Sequence, residues 1–224
     1  MEPYVITVDG PSGSGKGSLA FGLAKKLGFH ILDSGAIYRL AALNAINAGV
    51  SLDDEQQVLA TTQHLSIEFR HGDNLTIPYL DGRDVSQQIR IEEAGAAASI
   101  IAAYPLVRKA LLQIQRDFFQ PPGLVADGRD MGSVVFPQAK FKIFLLASAE
   151  IRAKRRYKQL IDMGLSANIA DLLEEIEARD ERDRNRSVSP LQPASDAVIV
   201  DSSQMEQGQV LDLVLQHIRE DSNQ

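Results

Sequence analysis

The chain has 224 residues, 44% of them hydrophobic and 24% charged, which is ordinary globular composition and long enough for a full hydrophobic core. It contains no cysteine, which excludes a disulfide scaffold, a cysteine nucleophile and a thiolate metal site, and we expect a reducing, cytoplasmic location. The net charge of −7 argues against nonspecific nucleic-acid binding, and no long apolar run or signal-peptide pattern predicts a membrane partner.

The N-terminal segment predicts a strand, a glycine-rich turn and a helix. Residues 4–8 form a short β-branched run that favours a buried strand. After the turn, apolar residues recur at helical spacing from Leu19 to Leu27, and Gly28 is a suitable helix C-cap. This order is how an α/β unit begins.

The rest of the chain continues to alternate strands with helices. The predicted elements are a strand at 29–33, a helix at about 35–48, helices beginning near Ile91 and Pro105, strands at 124–127 and 141–146, a helix that ends near 163–164, a helix striped by 169–176, a strand at 197–200 and a terminal helix striped by 210–218. Strands that are apolar throughout are typical of a buried parallel sheet. The chain is therefore predicted to form one α/β core.

One segment has a different pattern. Residues 65–69 and 75–80 alternate apolar with polar side chains, and the sequence His-Gly-Asp-Asn at 71–74 separates them. This combination predicts a β-hairpin, so we place a small antiparallel insertion at about 64–90.

The glycine-rich turn has the composition of a phosphate-binding loop. Its sequence is Gly-Pro-Ser-Gly-Ser-Gly-Lys-Gly-Ser at 10–18, between a strand and a helix. Backbone N–H groups and the helix N-terminus attract phosphate oxygens, and Lys16 adds a point charge. The alternative is a βα turn without a ligand. Because Gly17 stands where many such loops have Ser or Thr, a direct hydroxyl ligand to Mg²⁺ is missing, which weakens a switch-GTPase or motor-ATPase interpretation.

Basic residues are concentrated in one part of the chain. Nine of the 23 lysines and arginines lie between Arg152 and Arg186. Arginines gather where phosphates bind, although a solvated helix face is the alternative. The apolar stripe of the helix at 169–176 continues into Arg179, Asp183 and Arg186, so these charges face the protein body unless the helix frays.

Further polar residues follow the ends of predicted strands, where ligands of open α/β sheets bind. Asp127 is either a strand-end cap or a carboxylate near Mg²⁺. Arg129 and Asp130 follow it, and they either reach a ligand or form a local ion pair. After the second strand come Ser34, Tyr38 and Arg39. The four histidines show no metal-binding spacing.

Four segments together resemble the bacterial cytidylate kinases: GPSGSGKGS at 10–18, LDSGAIYR at 32–39, ADGRDMG at 126–132 and ARDERDRNR at 178–186. The resemblance covers nearly the whole chain. It implies a P-loop NTPase three-layer fold that transfers a phosphoryl group from ATP to CMP or dCMP with Mg²⁺. It further implies a kinase core at 1–63, 91–151 and 167–224, a monophosphate-binding insertion at 64–90 and a helical lid at 152–166.

The resemblance also implies roles for single residues. It places ATP phosphates on Gly10, Pro11, Ser12, Gly13, Ser14, Gly15, Lys16, Gly17 and Ser18, and the phosphate of CMP on Arg39 and Arg129. It places cytosine recognition on Ser34, Ser99, Arg108, Asp130 and Arg186, with Arg179 and Asp183 near the sugar and Tyr38 beside this set. Lys16, Arg129, Arg155 and Arg156 are the expected catalytic cations. Arg152, Arg155 and Arg156 match the lid, and which of them contacts the transferring phosphoryl group stays open. No direct metal ligand is assigned, and Asp127 is a candidate to meet Mg²⁺ through water.

Three alternatives stay open at this stage. The chain could phosphorylate another acceptor such as UMP, dTMP or shikimate, it could bind ATP as a sensor without transfer, or it could be a structural α/β protein. A monomer is expected, because no long apolar stripe demands an interface.

Overall fold

The computed structural model describes residues 2–71, 76–162 and 164–222. Two compact units make up the chain, a larger one formed by residues 1–32 and 119–224 and a smaller one formed by residues 33–118. This division does not test the boundaries expected for the insertion and the lid, which stay predictions.

The larger unit is built on a five-stranded sheet with the strand order β2-β6-β1-β7-β8. Its elements are β1 Tyr4–Asp9, α1 Lys16–Leu27, β2 His30–Asp33, β6 Gly123–Gly128, a π-helical turn Met131–Val135, β7 Phe141–Leu146, α6 Ala149–Asp162, α7 Ile169–Arg184, β8 Val198–Asp201 and α8 Gln207–Ser222. Strand β1 is parallel to both β6 and β7, and β7 is parallel to β8. The predicted parallel sheet is confirmed.

The core of the larger unit explains the apolar strands and the helix stripes. Ile6 on β1 and Val125 on β6 are fully buried, because strands in the middle of a parallel sheet are covered on both faces. Leu23 on α1 and Val214 on α8 belong to the same hydrophobic cluster. Gly28 ends α1 in the left-handed conformation, as its position predicts.

The smaller unit combines helices with a three-stranded sheet of order β3-β4-β5. Its elements are α2 Ser34–Asn47, α3 Glu55–Thr62, β3 Ile67–His71, β4 Thr76–Leu80, β5 Arg83–Asp84, α4 Glu92–Ile101 and α5 Pro105–Arg116. Both strand pairs are antiparallel, which confirms the predicted hairpin. Most of its predicted turn, at residues 72–75, lies outside the described residues.

Packing in the smaller unit joins the sheet to α2. Ala36 and Leu40 of that helix share a hydrophobic cluster with Leu80, Val85 and Ile89. The sequence pattern did not predict α3 or the two-residue strand β5. The helix α3 has only about two turns and β5 has only two residues, so neither carries a clear periodic signal.

Within the described residues, no single helix is long and apolar enough to cross a membrane. One pair, Glu93–Ile101 with Pro105–Arg116, meets the length and composition criteria together and is bent by 105°.

Candidate active site

The phosphate loop joins the end of β1 to the start of α1. Gly15 is the N-cap of α1, and Lys16 is its first residue. Gly13 and Gly15 have φ values of 75° and 96°, in the left-handed region that favours glycine. The first turn of α1 contains no acidic side chain, so the positive end of the helix is not neutralised locally. The loop has the backbone and charge that an anion site requires.

Lys16 is held beside the loop by neighbouring oxygens. Its Nζ donates to the carbonyl oxygen of Pro11 at 3.1 Å and lies 3.9 Å from Oδ1 of Asp127. A Cβ atom added to Gly17 would lie 3.2 Å from Oδ2 of Asp127. The carboxylate of Asp127 therefore occupies the space beside the position where related loops carry a hydroxyl.

A second cluster, formed by Arg129, Asp183 and Arg186, confirms that the charged end of α7 faces the protein. Nε of Arg129 donates to Oδ2 of Asp183 at 2.9 Å, and Nη2 of Arg186 donates to Oδ1. The Asp183 side chain is 1% exposed. Burial raises the pKa of Asp183, but the charges of Arg129, Arg186 and Arg179 outweigh this and hold the pKa below its usual value. Two guanidinium groups are thus fixed by one carboxylate.

The apolar stripe that leads to this cluster is less buried than its spacing predicts. Leu172 is buried, whereas Ile169, in the first turn of α7, is 43% exposed. Asp180 and Asp183, near the end of the helix, are therefore more deeply buried than Ile169 at its beginning.

Arg152 forms a buried ion pair and buried hydrogen bonds that connect three segments of the larger unit. Its guanidinium donates to both carboxylate oxygens of Asp180 on α7, and Nη1 also donates to the carbonyl oxygen of Ser12 at 3.0 Å. Nε donates to the carbonyl oxygen of Ala147 at 2.9 Å. The Arg152 side chain is 3% exposed. Arg152 therefore secures α6 and α7 to the phosphate loop.

Arg155 contacts the phosphate loop from α6. Its Nη1 donates to the carbonyl oxygen of Ser14 at 3.1 Å, and Nη2 donates to the carbonyl oxygen of Ser202 at 2.7 Å. The buried Oγ of Ser202 also donates to Ser14. Arg156 follows on the same helix and is half-buried. Arg155 thus contacts the loop, as Arg152 does.

In the smaller unit, the expected cytosine-binding residues lie on α2, α4 and α5. Ser34 is buried, and its Oγ donates to Oε1 of Gln115 at 2.7 Å. The guanidinium carbon of Arg108 lies 5.7 Å from the centre of the Tyr38 ring, and Nη1 of Arg108 donates to the carbonyl oxygen of Ala102. Ser34, Tyr38 and Arg108 are therefore held in place by partners within this unit.

Arg39 and Ser99 complete the set in the smaller unit. Ser99 is 4% exposed on α4. The Nε atom of Arg39 is buried and has no hydrogen-bond partner among the described residues. A buried guanidinium N–H group without an acceptor costs free energy, and a bound anion would supply the missing acceptor.

Asp9, the last residue of β1, contacts the segment that carries Arg129 and Asp130. Its two carboxylate oxygens accept the backbone N–H groups of Met131 and Gly132, each at 2.8 Å. Burial raises the pKa of Asp9 to about 7, against the lowering effect of these two N–H groups, and the charges of Asp130 and Asp127 raise it further.

Sequence reasoning missed four polar residues of these clusters: Asp9, Gln115, Asp180 and Ser202. Asp180 had a detectable signal, because it lies four residues after Ile176 and continues the same helix face. The other three are identified only by partners distant in sequence.

Among the residues that the structure describes, no group of three or more His, Cys, Asp or Glu side chains could hold a metal ion. The carboxylate of Asp127 lies beside the loop, with its Oδ1 atom 3.9 Å from Nζ of Lys16.

The fold and the loop define a P-loop protein of the three-layer α/β class, with a small antiparallel sheet added to it. A family model described as cytidylate kinase matches residues 6–220. The chain belongs to the cytidylate kinase family.

Individual relatives agree with this assignment. The cytidylate kinase of Vibrio parahaemolyticus serotype O3:K6 is 57% identical over 214 residues, which cover 96% of this chain and 95% of that protein. The cytidylate kinase of Pasteurella multocida is 55% identical over 216 residues, with the same coverage of both chains. An uncharacterized protein from Eubacterium ventriosum shares the fold, with a TM-score of 0.50 at 12% identity and coverage of 96% of this chain and 98% of its own.

Proposed function

We propose that this protein transfers the terminal phosphoryl group of ATP to CMP or dCMP, giving ADP and CDP or dCDP. Membership of the cytidylate kinase family supports the reaction. The observation that carries it is the register of β1 with β6, which pairs Asp9 with Gly128. The phosphate loop and the Arg129 segment therefore start side by side at one edge of the sheet.

The loop at 10–18 is proposed to bind the phosphates of ATP. Its N–H groups and the start of α1 attract anions, and Lys16 is held within 3.9 Å of Asp127 rather than extended into solvent. Arg155, whose guanidinium lies against the Ser14 carbonyl, and Arg156 are proposed to add positive charge during transfer. The loop thus positions the donor phosphates.

Arg129 and Arg39 are proposed to hold the phosphate of the acceptor. Asp183 orients Arg129 through Nε, and the Nε of Arg39 lacks a partner within the described part of the chain. A planar guanidinium binds phosphate oxygens in a fixed geometry, which aligns the acceptor for attack. Because a phosphate monoester is already anionic near neutral pH, no strong general base is proposed, and catalysis depends on alignment and charge neutralisation.

Cytosine and sugar recognition are proposed for a set of polar residues. The proposed cytosine residues are Ser34, Ser99, Arg108, Asp130 and Arg186, with Arg179 and Asp183 at the sugar and Tyr38 supporting Arg108. Buried, hydrogen-bonded polar side chains discriminate between bases, because a wrong base leaves them without partners. This set therefore favours cytosine over uracil.

The donor set is compatible with Mg²⁺ that arrives with ATP. Gly17 supplies no hydroxyl, and the Asp127 carboxylate lies beside that position. Mg²⁺ keeps much of its water shell, so Asp127 is proposed to hold it through water while the phosphates bind it directly. When bound, the ion neutralises negative charge on the phosphates.

A helical lid at 152–166 is proposed to exclude water, which would otherwise hydrolyse ATP. Arg152 and Arg155 anchor the first turns of α6 to the phosphate loop. Movement is therefore expected in the part of this segment that follows Arg156.

A coupled assay of ADP formation tests the function directly. The protein is incubated with ATP and Mg²⁺ and with CMP, dCMP, UMP, dTMP or shikimate in turn. We expect rapid ADP formation with CMP or dCMP and much slower formation with the other acceptors. A preference for another acceptor would reassign the substrate, and ATP binding without acceptor-dependent ADP formation would indicate a sensor.

A further inference from the structure

Asp9 has no place in the proposed set of substrate contacts, yet it is among the most deeply buried charged residues of the larger unit. It is 5% exposed and is the last residue of β1, directly before the phosphate loop. Both of its oxygens accept backbone N–H groups from residues more than 120 positions away, with sequence separations of 122 for Met131 and 123 for Gly132.

These two N–H groups begin the π-helical turn Met131–Val135. The residue that precedes the turn, Asp130, makes no side-chain capping hydrogen bond to it. The first N–H groups of a helical turn lack partners within the turn, and a carboxylate is a favourable acceptor for them. Asp9 thus caps this turn from a different strand.

The turn lies very close to β1, and this closeness depends on Gly132. A Cβ atom added to Gly132 would lie 2.8 Å from Oγ1 of Thr7 and 3.2 Å from the Lys142 side chain. A larger residue would force the turn away from the strand. The small size of Gly132 therefore allows the turn to approach β1 closely enough for Asp9 to accept both backbone N–H groups.

We propose that Asp9 is a positioning residue for phosphoryl transfer, which holds Arg129 and Asp130 in fixed geometry relative to the phosphate loop. Its backbone leads directly into Gly10, and its side chain fixes the turn that follows Asp130. One residue thus connects the segment proposed to bind ATP with the segment proposed to bind CMP. The inference rests on the proposed function.

Burying a carboxylate at this position carries a cost in stability. A buried carboxylate loses its hydration, and Asp130 and Asp127 contribute further negative charge near it. The two N–H groups offset part of this cost. An acidic side chain whose pKa is raised by burial and by neighbouring carboxylates is typical of residues that serve a site.

The test compares Asp9→Asn with the matched control Asp54→Asn. Asp54 is also a carboxylate that accepts two backbone N–H groups, from Gln56 and Gln57, but it caps α3 in the smaller unit. Asp9→Asn keeps the volume and turns one acceptor oxygen into a donor that faces another N–H group. Steady-state rates are measured with CMP and ATP varied separately.

We expect Asp9→Asn to lower kcat/KM for CMP by about 10- to 100-fold, with a higher KM for CMP, because a displaced phosphate ligand misaligns the acceptor. The KM for ATP is expected to change by less than about threefold. Asp54→Asn is expected to leave both KM values at those of the wild type. If Asp9→Asn lowers only the folded fraction and leaves the KM for CMP unchanged, Asp9 is merely structural and the proposal is overturned.

Amide hydrogen exchange of Met131 and Gly132 gives a second measurement that does not depend on turnover. We expect both amides to be protected in the wild type and to exchange faster in Asp9→Asn or, if that variant does not fold, in Asp9→Ser. Unprotected amides in the wild type would overturn the proposal even if no variant folds. A wild-type protein that forms no ADP with CMP would refute the proposed function instead, while the exchange result would still report on the contact.

Discussion

The buried ion pair between Arg152 and Asp180 allows a quantitative test of how the larger unit is stabilised. Arg152→Met removes four hydrogen bonds in this structure: two to Asp180, one to Ser12 and one to Ala147. The Asp180 side chain is 4% exposed, so it would remain as a buried charge without its main partner. Arg184 also reaches Asp180, at 3.4 Å, but its own side chain is 64% exposed.

Breaking a buried ion pair by removing one partner costs about 3–5 kcal/mol in the free energy of unfolding. For a chain of about this length, each kcal/mol corresponds to about 2–4 °C in Tm, so we expect a decrease of about 6–20 °C. Arg184→Met removes an exposed contact to the same carboxylate, and we expect it to cost less than about 1 kcal/mol. The two variants differ in the burial of the lost cation.

Urea unfolding followed by far-UV circular dichroism measures the effect, since the chain contains no tryptophan for fluorescence. A third variant, Arg152→Met with Asp180→Leu, also removes the Asp180 carboxylate that Arg152→Met leaves without its main partner. Replacing both partners of a buried pair by apolar residues is often close to neutral, so we expect this variant to recover about 2 kcal/mol relative to Arg152→Met alone.

Two results would refute the reasoning. If Arg152→Met is no less stable than Arg184→Met, the buried pair does not hold these segments together. If the double variant is less stable than Arg152→Met, the loss does not come from an uncompensated carboxylate.

The remaining predictions concern turnover, selectivity and pH. Lys16→Met should lower turnover about 100-fold or more with an unchanged circular dichroism spectrum, because a preorganised positive charge is lost; near-normal turnover would contradict this role. Arg186→Met should reduce the preference for CMP over UMP in kcat/KM, and an unchanged ratio would remove Arg186 from base recognition. The pKa of Asp9 is raised from 3.8 to about 7. Its contribution to stability is therefore complete below about pH 4 and lost as the pH rises through 7, so the unfolding free energy of the wild type relative to Asp9→Asn should fall between about pH 4 and 7 and level off at higher pH. A difference that is independent of pH would contradict the raised pKa.

Much of the fold follows from local pattern. The strands at the centre of the sheet are rich in apolar residues, α1 ends at a glycine in the left-handed conformation, and Pro105 occupies the first turn of α5. Each of these features depends on residues within a few positions, where backbone preference and periodicity act directly. The phosphate loop belongs to the same category, because its composition and its place between strand and helix define it.

Part of the site was also accessible in this way. The face of α7 that carries Arg179 and Asp183 could be read from helical spacing, and the structure shows Arg179 acting on the pKa of Asp183. The helix ends at Arg184, so Arg186 reaches Asp183 from the segment that follows it. Spacing did not reveal which cation Asp183 orients. Arg129 lies 54 residues away, and only the packing of α7 next to the Arg129 segment brings the two together.

The sequence by itself determined the order of the elements, the phosphate loop and the family to which the chain belongs. Only the tertiary structure decided that Asp9 caps a turn 122 residues later, that Arg152 forms a buried ion pair with Asp180, and that Ser34 donates a hydrogen bond to Gln115, 81 residues away. The physical reason is that local preference depends on neighbours along the chain. A polar side chain in the interior instead takes whichever partner the packed elements bring within hydrogen-bond distance.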